Sequence, residues 1–143
     1  MAVKKKKKPK YNQNSQIRSA IRRAFSRSPV VKEVKDSVRT EHDQYNKDGS
    51  LAKKKAVRFE CAVCHKLFKG TDCAVDHIDP VIPIDQEFKG WDVFVERLWC
   101  DKSNLQVLCS YKLKHIDKHN NELSCHHKKT QQERKDREEH NKL

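Results

Sequence analysis

The chain has 143 residues, of which 36% are charged and 35% hydrophobic, and its formal net charge at pH 7 is +12. No stretch is long and apolar enough to span a bilayer, and the apolar content is too low for a large core along the whole length. The charge favours a polyanionic partner, with nucleic acid ahead of a membrane surface, which would need an amphipathic face of large apolar residues. The alternative interpretation is that the lysines only keep the chain soluble.

The N-terminus, MAVKKKKKPK, is a basic run without an apolar segment behind it, unlike a secretory signal. We therefore expect a cytoplasmic protein that is not secreted, with its six cysteines acting as metal ligands or free thiols rather than disulfides. Residues 1–14 are expected to form a disordered basic arm that contacts phosphate. A nuclear-localisation-like patch is the alternative.

Residues 15–45 are expected to form a basic helical segment. Ile17, Ile21 and Phe25 recur at helical spacing, and Ser15 is a candidate N-cap. The Ser28-Pro29 step then ends this helix and starts a second one, whose valines keep helical spacing to about residue 42. The segment can serve packing alone, or it can contact DNA. Its candidate DNA-binding residues are Arg18, Arg22 and Arg23.

An exposed linker or hairpin is expected at residues 46–56, and the character of the sequence changes beyond it. The run VRFECAVCHKLFKGTDCAVDHI predicts a strand, a turn with two cysteines, and a second strand that ends at Asp76-His77. GWDVFVERLWC predicts a helix with Trp91, Phe94 and Leu98 on its core face, and SNLQVLC is a short apolar run after a turn. The sequence after Cys125 permits a helix but lacks an apolar stripe, so residues 136–143 are expected to fray.

The cysteine spacing predicts a structural zinc site. Cys61 and Cys64 are two residues apart, which lets one tight turn present both sulfurs to a tetrahedral ion. Two cysteines further along must complete the site, and Cys73 and Cys100 are candidates for these positions. We favour the pair that lies beside the second functional cluster. The expected zinc ligands are then Cys61, Cys64, Cys109 and Cys125.

Four motifs occur in order between Cys61 and Thr130: CAVC, VDHIDPVIP, SNLQVLC and CHHKKT. In this order they resemble the HNH endonuclease family, in its zinc-supported form common in bacteriophage genomes. The resemblance covers roughly half of the chain and implies a small α+β fold with a ββα-metal unit at residues 57–135. In such a unit a two-stranded hairpin and a helix hold one divalent ion, while a four-cysteine zinc site fixes the helix to the hairpin.

The resemblance also implies the catalytic residues. His77 matches the general base that takes a proton from the attacking water, and Asp76 matches a ligand of the catalytic metal. Asn104 matches the residue that braces the loop carrying the base. His126 matches a second ligand of the catalytic metal, and the adjacent His127 is the alternative. Among the basic residues that follow, Lys128 or Lys129 would neutralise phosphate charge.

Hydrolysis of a phosphodiester bond needs these residue types independently of the resemblance. A histidine with a pKa of about 6.5 is largely neutral at pH 7 and can accept the proton of a water molecule. A carboxylate and an imidazole suit a divalent cation that acts as a Lewis acid on the scissile phosphate, Mg²⁺ or Mn²⁺ first, with Ni²⁺ or Zn²⁺ as alternatives. Asp76 and His77 are adjacent at a strand end, so their side chains should point to opposite sides.

The sequence departs from the family pattern at residues 110–124, which separate Cys109 from Cys125 where the family has CxxC. Zinc fixes only the ends of such a loop, so an insertion is tolerated, although Cys125 becomes the less secure ligand. The insertion carries His115 and His119, whose spacing suits a metal site on a helix. The preferred interpretation is that they are surface histidines on a basic hairpin.

The sequence as a whole predicts a metal-dependent endonuclease that cuts or nicks double-stranded DNA. A non-catalytic, zinc-stabilised nucleic-acid-binding module is the main alternative, and the ordered set of Asp76, His77, Asn104 and His126 argues against it. A zinc protein that binds another protein fits the charge poorly. A homing endonuclease and a nuclease that assists phage DNA packaging would share these motifs. Monomer and dimer both remain open.

Overall fold

The computed structural model describes residues 7–119 and 122–143, which form a small α+β structure with four α-helices and two small antiparallel sheets. Residues 1–6 of the expected basic arm lie outside the described residues. The helices are α1 (Gln13–Ser26), α2 (Pro29–Ser37), α3 (Trp91–Leu98) and α4 (Cys125–Asn141). The strands are β1 (Arg39–His42), β2 (Ala56–Glu60), β3 (Leu67–Phe68), β4 (Cys73–His77) and β5 (Leu105–Cys109).

The N-terminal segment begins as two helices and continues as a strand. Helix α1 is capped by Asn12, whose Oδ1 accepts a hydrogen bond from the Ser15 N–H at 3.0 Å, so Asn12 and not Ser15 is the N-cap. Helix α2 begins at Pro29, as predicted, but ends at Ser37. The expectation of a helix to about residue 42 was wrong, because residues 39–42 pair with β2 in an antiparallel sheet.

The segment expected as a linker or hairpin joins β1 to β2. Its tip is a turn in which the Gly49 N–H donates to the Asn46 carbonyl at 3.0 Å and the Asn46 N–H donates to the Ser50 carbonyl at 2.8 Å. Gly49 has a φ of +86°, a conformation that glycine adopts without a steric penalty. Of the two expectations, the hairpin is the one observed.

One main core unites the N-terminal helices with the rest of the chain. Its buried side chains come from α1, α2, β2, α3 and β5 and from the loop after β4, so the core crosses the expected boundaries at residues 45 and 57. The members are Phe25, Val34, Phe59, Val81, Phe94, Leu98, Leu105 and Val107. A smaller cluster of Cys61, Phe68, Leu108 and Cys109 lies at the other end of β5. The helical segment is thus part of the scaffold around the candidate site.

Strands β4 and β5 pair from Cys73 opposite Cys109 to His77 opposite Leu105. Helix α4 is tied to both ends of this pair: the Cys125 N–H donates to Cys109 Sγ at 3.2 Å, and Lys129 Nζ donates to the His77 carbonyl at 2.8 Å. The helix continues to Asn141, where a frayed tail was expected from residue 136. Among the described residues, no helix has the length and apolar character needed to cross a membrane.

The position of Phe25 predicts a large loss of stability when it is truncated. Its side chain is 5% exposed, and its ring lies 5.2 Å from the ring centroids of both His77 and Trp99. Phe25→Ala should lower the free energy of unfolding by about 3–5 kcal/mol, measured by chemical denaturation, because a cavity remains in the core. Phe88→Ala is the matched control, since Phe88 is 40% exposed, and an equal loss in both variants would contradict this packing.

Candidate functional site

Four cysteine thiols converge at one end of the β4–β5 pair. The Sγ atoms of Cys61, Cys64, Cys109 and Cys125 all lie within 4.8 Å of one another. A tetrahedral zinc ion with Zn–S bonds of about 2.3 Å needs sulfurs about 3.8 Å apart, so the four thiols fit such an ion after a small contraction. Across residues 7–119 and 122–143, this is the one cluster of three or more candidate metal ligands. The predicted grouping of these cysteines across the insertion is therefore confirmed.

The backbone presents these thiols through a tight turn and a helix end. The His65 N–H donates to the Cys61 carbonyl at 3.0 Å, and His65 adopts a φ of +57°, which closes the turn after Cys64. Cys125 is the first residue of α4, behind the N-cap Ser124, whose hydroxyl accepts a hydrogen bond from the His127 N–H at 3.3 Å. The positive end of the helix dipole favours a thiolate at this position.

The electrostatics of the cluster favour a thiolate at Cys61 over one at Cys109 or Cys125. Burial raises the pKa of Cys61, but hydrogen bonds from neighbouring backbone groups, first that of Cys109, outweigh burial and bring it to about 7. Burial raises the pKa of Cys125 to about 11 and raises that of Cys109 further, with the charge of Cys61 adding to both shifts. A divalent cation among the four sulfurs would offset this mutual repulsion of thiolates.

The two competing cysteines lie outside the cluster. The Cys73 thiol donates to the Lys69 carbonyl at 3.3 Å, and Cys100 packs against the main core. Cys73 faces Cys109 across the β4–β5 ladder, yet it is not among the four converging thiols. Pairing with Cys109 across the two strands therefore does not make Cys73 a ligand of the predicted zinc site.

The described part of the segment between Cys109 and Cys125, residues 110–119 and 122–124, has a structure of its own. Its residues Leu113–His119 form a 3₁₀ helix, where a basic hairpin was expected. The His119 ring stacks on Tyr111, with centroids 3.8 Å apart, and lies 5.7 Å from the Phe68 ring. His119 thus packs the insertion against β3, and within the described residues it joins no metal-ligand cluster with His115.

A second site lies at the other end of the β4–β5 pair. It is an open pocket of about 440 Å³ between α1, the end of β4, the loop that follows, and α4. Its charged and imidazole side chains are Arg18, Arg22, Asp76, His77, His126, Lys129, Glu133 and Arg137. The resemblance-based site residues Asp76, His77 and His126 therefore share one pocket.

His77 is held in one orientation by its buried surroundings. Its side chain is 8% exposed, and its Nε2 lies 2.8 Å from the carbonyl of Leu98, the last residue of α3. A carbonyl only accepts hydrogen bonds, so Nε2 carries the proton and Nδ1 of the neutral ring is the free acceptor. Burial lowers the pKa of His77, and the bond to Leu98 offsets this only in part, so the surroundings favour the neutral ring.

Asp76 points to the opposite face of β4 and meets α4. Its Oδ1 lies 3.9 Å from His126 Nε2, and its Oδ2 accepts hydrogen bonds from Lys129 Nζ at 2.9 Å and from Gln106 Nε2 at 3.2 Å. The His127 ring instead contacts the side chain of Gln131 at 3.1 Å. A carboxylate and an imidazole that face each other at this distance are a donor set that fits a divalent cation.

Asn104 joins the loop after His77 to the start of β5. Its Oδ1 accepts from the Asp79 N–H at 2.9 Å, its Nδ2 donates to the Asp79 carbonyl at 3.3 Å, and its own carbonyl accepts from the Ile78 N–H at 2.8 Å. Arg97 of α3 holds the next part of this loop by donating from Nε to the Val81 carbonyl at 2.8 Å. The loop is therefore bonded on two sides.

The basic residues separate into those that line the pocket and those that do not. Arg18, Arg22 and Lys129 line it. Lys128 instead lines a groove of about 570 Å³ beside the cysteine cluster, and Arg23 is exposed outside both. Burial would lower the pKa of Lys129, but the carboxylates of Glu133 and Asp76 raise it above its usual value, so the group is an ammonium.

Two charged residues of this pocket, Glu133 and Arg137, were not predicted from the sequence. Both lie on α4, seven and eleven residues after His126, a spacing that puts them on the same helix face. Glu133 accepts a hydrogen bond from Lys129 at 2.6 Å, and Arg137 donates to the carbonyls of Ile82 and Pro83. Helical spacing from His126 was the signal that would have found them.

Comparison with protein-family models, with curated proteins and with solved structures finds no match to this chain.

The cysteine cluster predicts a metal-dependent fold. Purified protein should contain one zinc ion per chain by elemental analysis, and Cys61→Ser or Cys109→Ser should lose the zinc and unfold the C-terminal half, because binding free energy at such a site contributes to folding. Cys125→Ser should behave in the same way, whereas Cys100→Ser, the control from outside the cluster, should keep its zinc. A folded, zinc-free preparation, or zinc retained in Cys125→Ser and lost in Cys100→Ser, would contradict this.

Proposed function

We propose that this protein is a metal-dependent DNA endonuclease of the HNH type, which hydrolyses or nicks phosphodiester bonds of double-stranded DNA. The observation that carries the proposal is the orientation of His77. Its Nε2 is engaged by the Leu98 carbonyl, which leaves Nδ1 as the proton acceptor of a ring that lines the same pocket as Asp76 and His126. The antiparallel β4–β5 pair with α4 against it supports an interpretation as a ββα-metal unit.

In this proposal His77 acts as the general base. Nδ1 accepts the proton of a water molecule that attacks the scissile phosphorus, while Nε2–H stays on the Leu98 carbonyl and fixes the tautomer. The lowered pKa of His77 keeps the ring unprotonated at neutral pH. Asn104 has a positioning role, because its bonds to Asp79 and Ile78 restrain the loop that follows the base.

Asp76 and His126 would hold the catalytic divalent cation, Mg²⁺ or Mn²⁺ first and Ni²⁺ or Zn²⁺ as alternatives. When bound, the cation supplies Lewis-acid stabilisation of the charge on the phosphate and on the leaving oxygen. Gln106 supports Asp76 by donating to its Oδ2, which leaves Oδ1 directed at His126. A zinc ion held by the cysteine cluster would have no part in the chemistry and would serve to hold α4 in place.

Arginines provide the surface on which a phosphate backbone would lie. Arg18 and Arg22 project from α1 into the pocket, and Arg22 also stands over the Phe94 ring, 5.5 Å from its centroid. Guanidinium groups suit phosphate because they present several fixed N–H donors. The net charge of +12 provides the long-range attraction that brings DNA to this surface.

The proposed base gives a sharp prediction for catalysis. His77→Ala should reduce the rate of supercoiled-plasmid cleavage in Mg²⁺ or Mn²⁺ by about 10²–10⁴-fold, the usual contribution of a general base. Because His77 is buried, the free energy of unfolding should fall, but zinc content and DNA affinity should stay close to those of the parent protein at temperatures where circular dichroism shows the variant to be folded. Asp76→Ala and His126→Ala should recover part of their lost activity at higher metal concentration, since they weaken metal binding.

His127→Ala is the matched control for this series, because His127 is adjacent to His126 but bonds to Gln131 instead of facing Asp76. It should cleave at the parent rate, and chelator should stop cleavage in every active variant. If His77→Ala cleaves plasmid as fast as the parent, the proposed function fails. The non-catalytic nucleic-acid-binding module would then be the better interpretation.

The arginine surface predicts how binding depends on salt. With six to ten phosphates neutralised, affinity for duplex DNA should fall roughly 10³–10⁵-fold between about 50 and 200 mM salt. Arg18→Ala/Arg22→Ala should reduce the slope of log affinity against log salt by about two, because each lost contact releases about one fewer counterion. Arg23→Ala should change this slope by less than about one, the change expected for one lost phosphate contact. Fluorescence anisotropy measures both slopes, and an unchanged slope in the double variant would contradict these contacts.

A further inference from the structure

The ammonium of Lys129 is surrounded by oxygen atoms in the candidate pocket. Its Nζ lies 2.9 Å from Asp76 Oδ2, 2.6 Å from Glu133 Oε1 and 2.8 Å from the His77 carbonyl oxygen. These three contacts match the three N–H donors of an ammonium group. Asp76 is also the carboxylate proposed to hold the catalytic cation. The Lys129 ammonium and the divalent cation would therefore share this one carboxylate.

The charges around the pocket are unfavourable for a divalent cation on its own. Four cationic side chains and two carboxylates line it, so the Arg, Lys, Asp and Glu side chains of the pocket sum to a net charge of +2. Lys129 occupies Oδ2 of Asp76, and its charge reduces the pull of that carboxylate on a further cation. Phosphates of bound DNA would cancel the excess positive charge and offer Lys129 other acceptor oxygens.

Glu133 is a second carboxylate that holds the Lys129 ammonium beside Asp76. It lies four residues after Lys129 on α4, and the pair is connected by a short hydrogen bond. Both side chains are only partly exposed, at 25% and 29%. Lys129 can thus lose its contact with Asp76 and still remain at the pocket, within reach of a phosphate.

We propose that Lys129 makes the loading of the catalytic metal depend on bound DNA. In the free protein the ammonium neutralises Asp76 and Glu133 and weakens metal binding; with DNA in the pocket it shifts to a phosphate, and Asp76 becomes available to the metal. This inference rests on the proposed function. Because coupling between two ligands is reciprocal, the metal should strengthen DNA binding by the same factor.

The test measures Mn²⁺ binding instead of cleavage. Zinc-loaded full-length His77→Ala protein, chosen because it should cleave DNA slowly, is titrated with Mn²⁺ with and without saturating short duplex. Free Mn²⁺ is followed by electron paramagnetic resonance, with a duplex-only titration subtracted. The duplex should raise Mn²⁺ affinity by about tenfold or more. Adding Lys129→Met should tighten Mn²⁺ binding without DNA by about tenfold and remove most of the gain from DNA.

Two further variants separate charge from structure. Lys129→Arg keeps the positive charge and should retain the coupling. Lys135→Met removes the same charge from an exposed position of α4 outside the pocket and should leave both Mn²⁺ affinities unchanged. A purely structural ion pair predicts that Lys129→Met lowers stability without altering the effect of DNA on Mn²⁺ affinity, and this result would overturn the proposal.

Failure of this inference can be distinguished from failure of the proposed function. Suppose that Mn²⁺ binds equally well with and without DNA, and that Asp76→Ala abolishes this binding. The proposed coupling through Lys129 is then contradicted, while the proposed metal site at Asp76 is supported. If Asp76→Ala leaves Mn²⁺ binding unchanged and the parent protein cleaves no plasmid, both proposals fall together.

Discussion

The antiparallel ladder between β4 and β5 is the constraint on which both candidate centres depend. It begins with Cys73 opposite Cys109, at the cysteine cluster, and ends with His77 opposite Leu105, at the pocket. Alternation along β4 sends Asp76 towards α4 and His77 towards α1 and α3. A slip of one residue would exchange these directions and place a carboxylate against the Leu98 carbonyl, so burial of the His77 side fixes the register.

The position and stability of helix α4 depend on its contacts with the β4–β5 pair more than on its own sequence. It has no buried residue and no apolar stripe, and a helix that is polar all round is not stabilised by packing of an apolar face. It is held instead by Cys125 at its first residue, by Lys129 one turn later, and by Arg137 in its C-terminal half. A metal ion among the four thiols would therefore also fix the helix that carries His126.

The sequence predicted the parts of the structure that have a strong local pattern. Three such parts are the CxxC turn, the strand end at Asp76-His77 and helix α3. Each has a spacing or periodicity of residues that predicts its local structure. Strand β1 has none, because all four of its residues are exposed and so lack an alternation of apolar and polar positions. Its pairing with β2 follows from the hairpin turn at Gly49, and this tertiary contact overrides the helical continuation of the valines.

The polar partners of the pocket were harder to predict for a related reason. Along α4, Glu133 and Arg137 are two charged residues among many, and only their contacts distinguish them from solvated neighbours. The Leu98 carbonyl that orients His77 is a backbone atom, which no residue type signals. The cysteine grouping was easier, because the Cys61–Cys64 turn calls for two more thiolates, and of the four remaining cysteines Cys109 and Cys125 lie beside the second functional cluster.

The insertion at residues 110–124 is also informative about how this chain can change in length. Its ends are fixed at Cys109 and Cys125, and the entropy of closing a flexible loop grows only with the logarithm of its length, by about 0.6 kcal/mol for each doubling. Lengthening or shortening it therefore costs little free energy, provided that the stack of His119 on Tyr111 is kept or replaced. This loop is the position at which residues can be gained or lost while the β4–β5 register, and with it the pocket at the far end, stays unchanged.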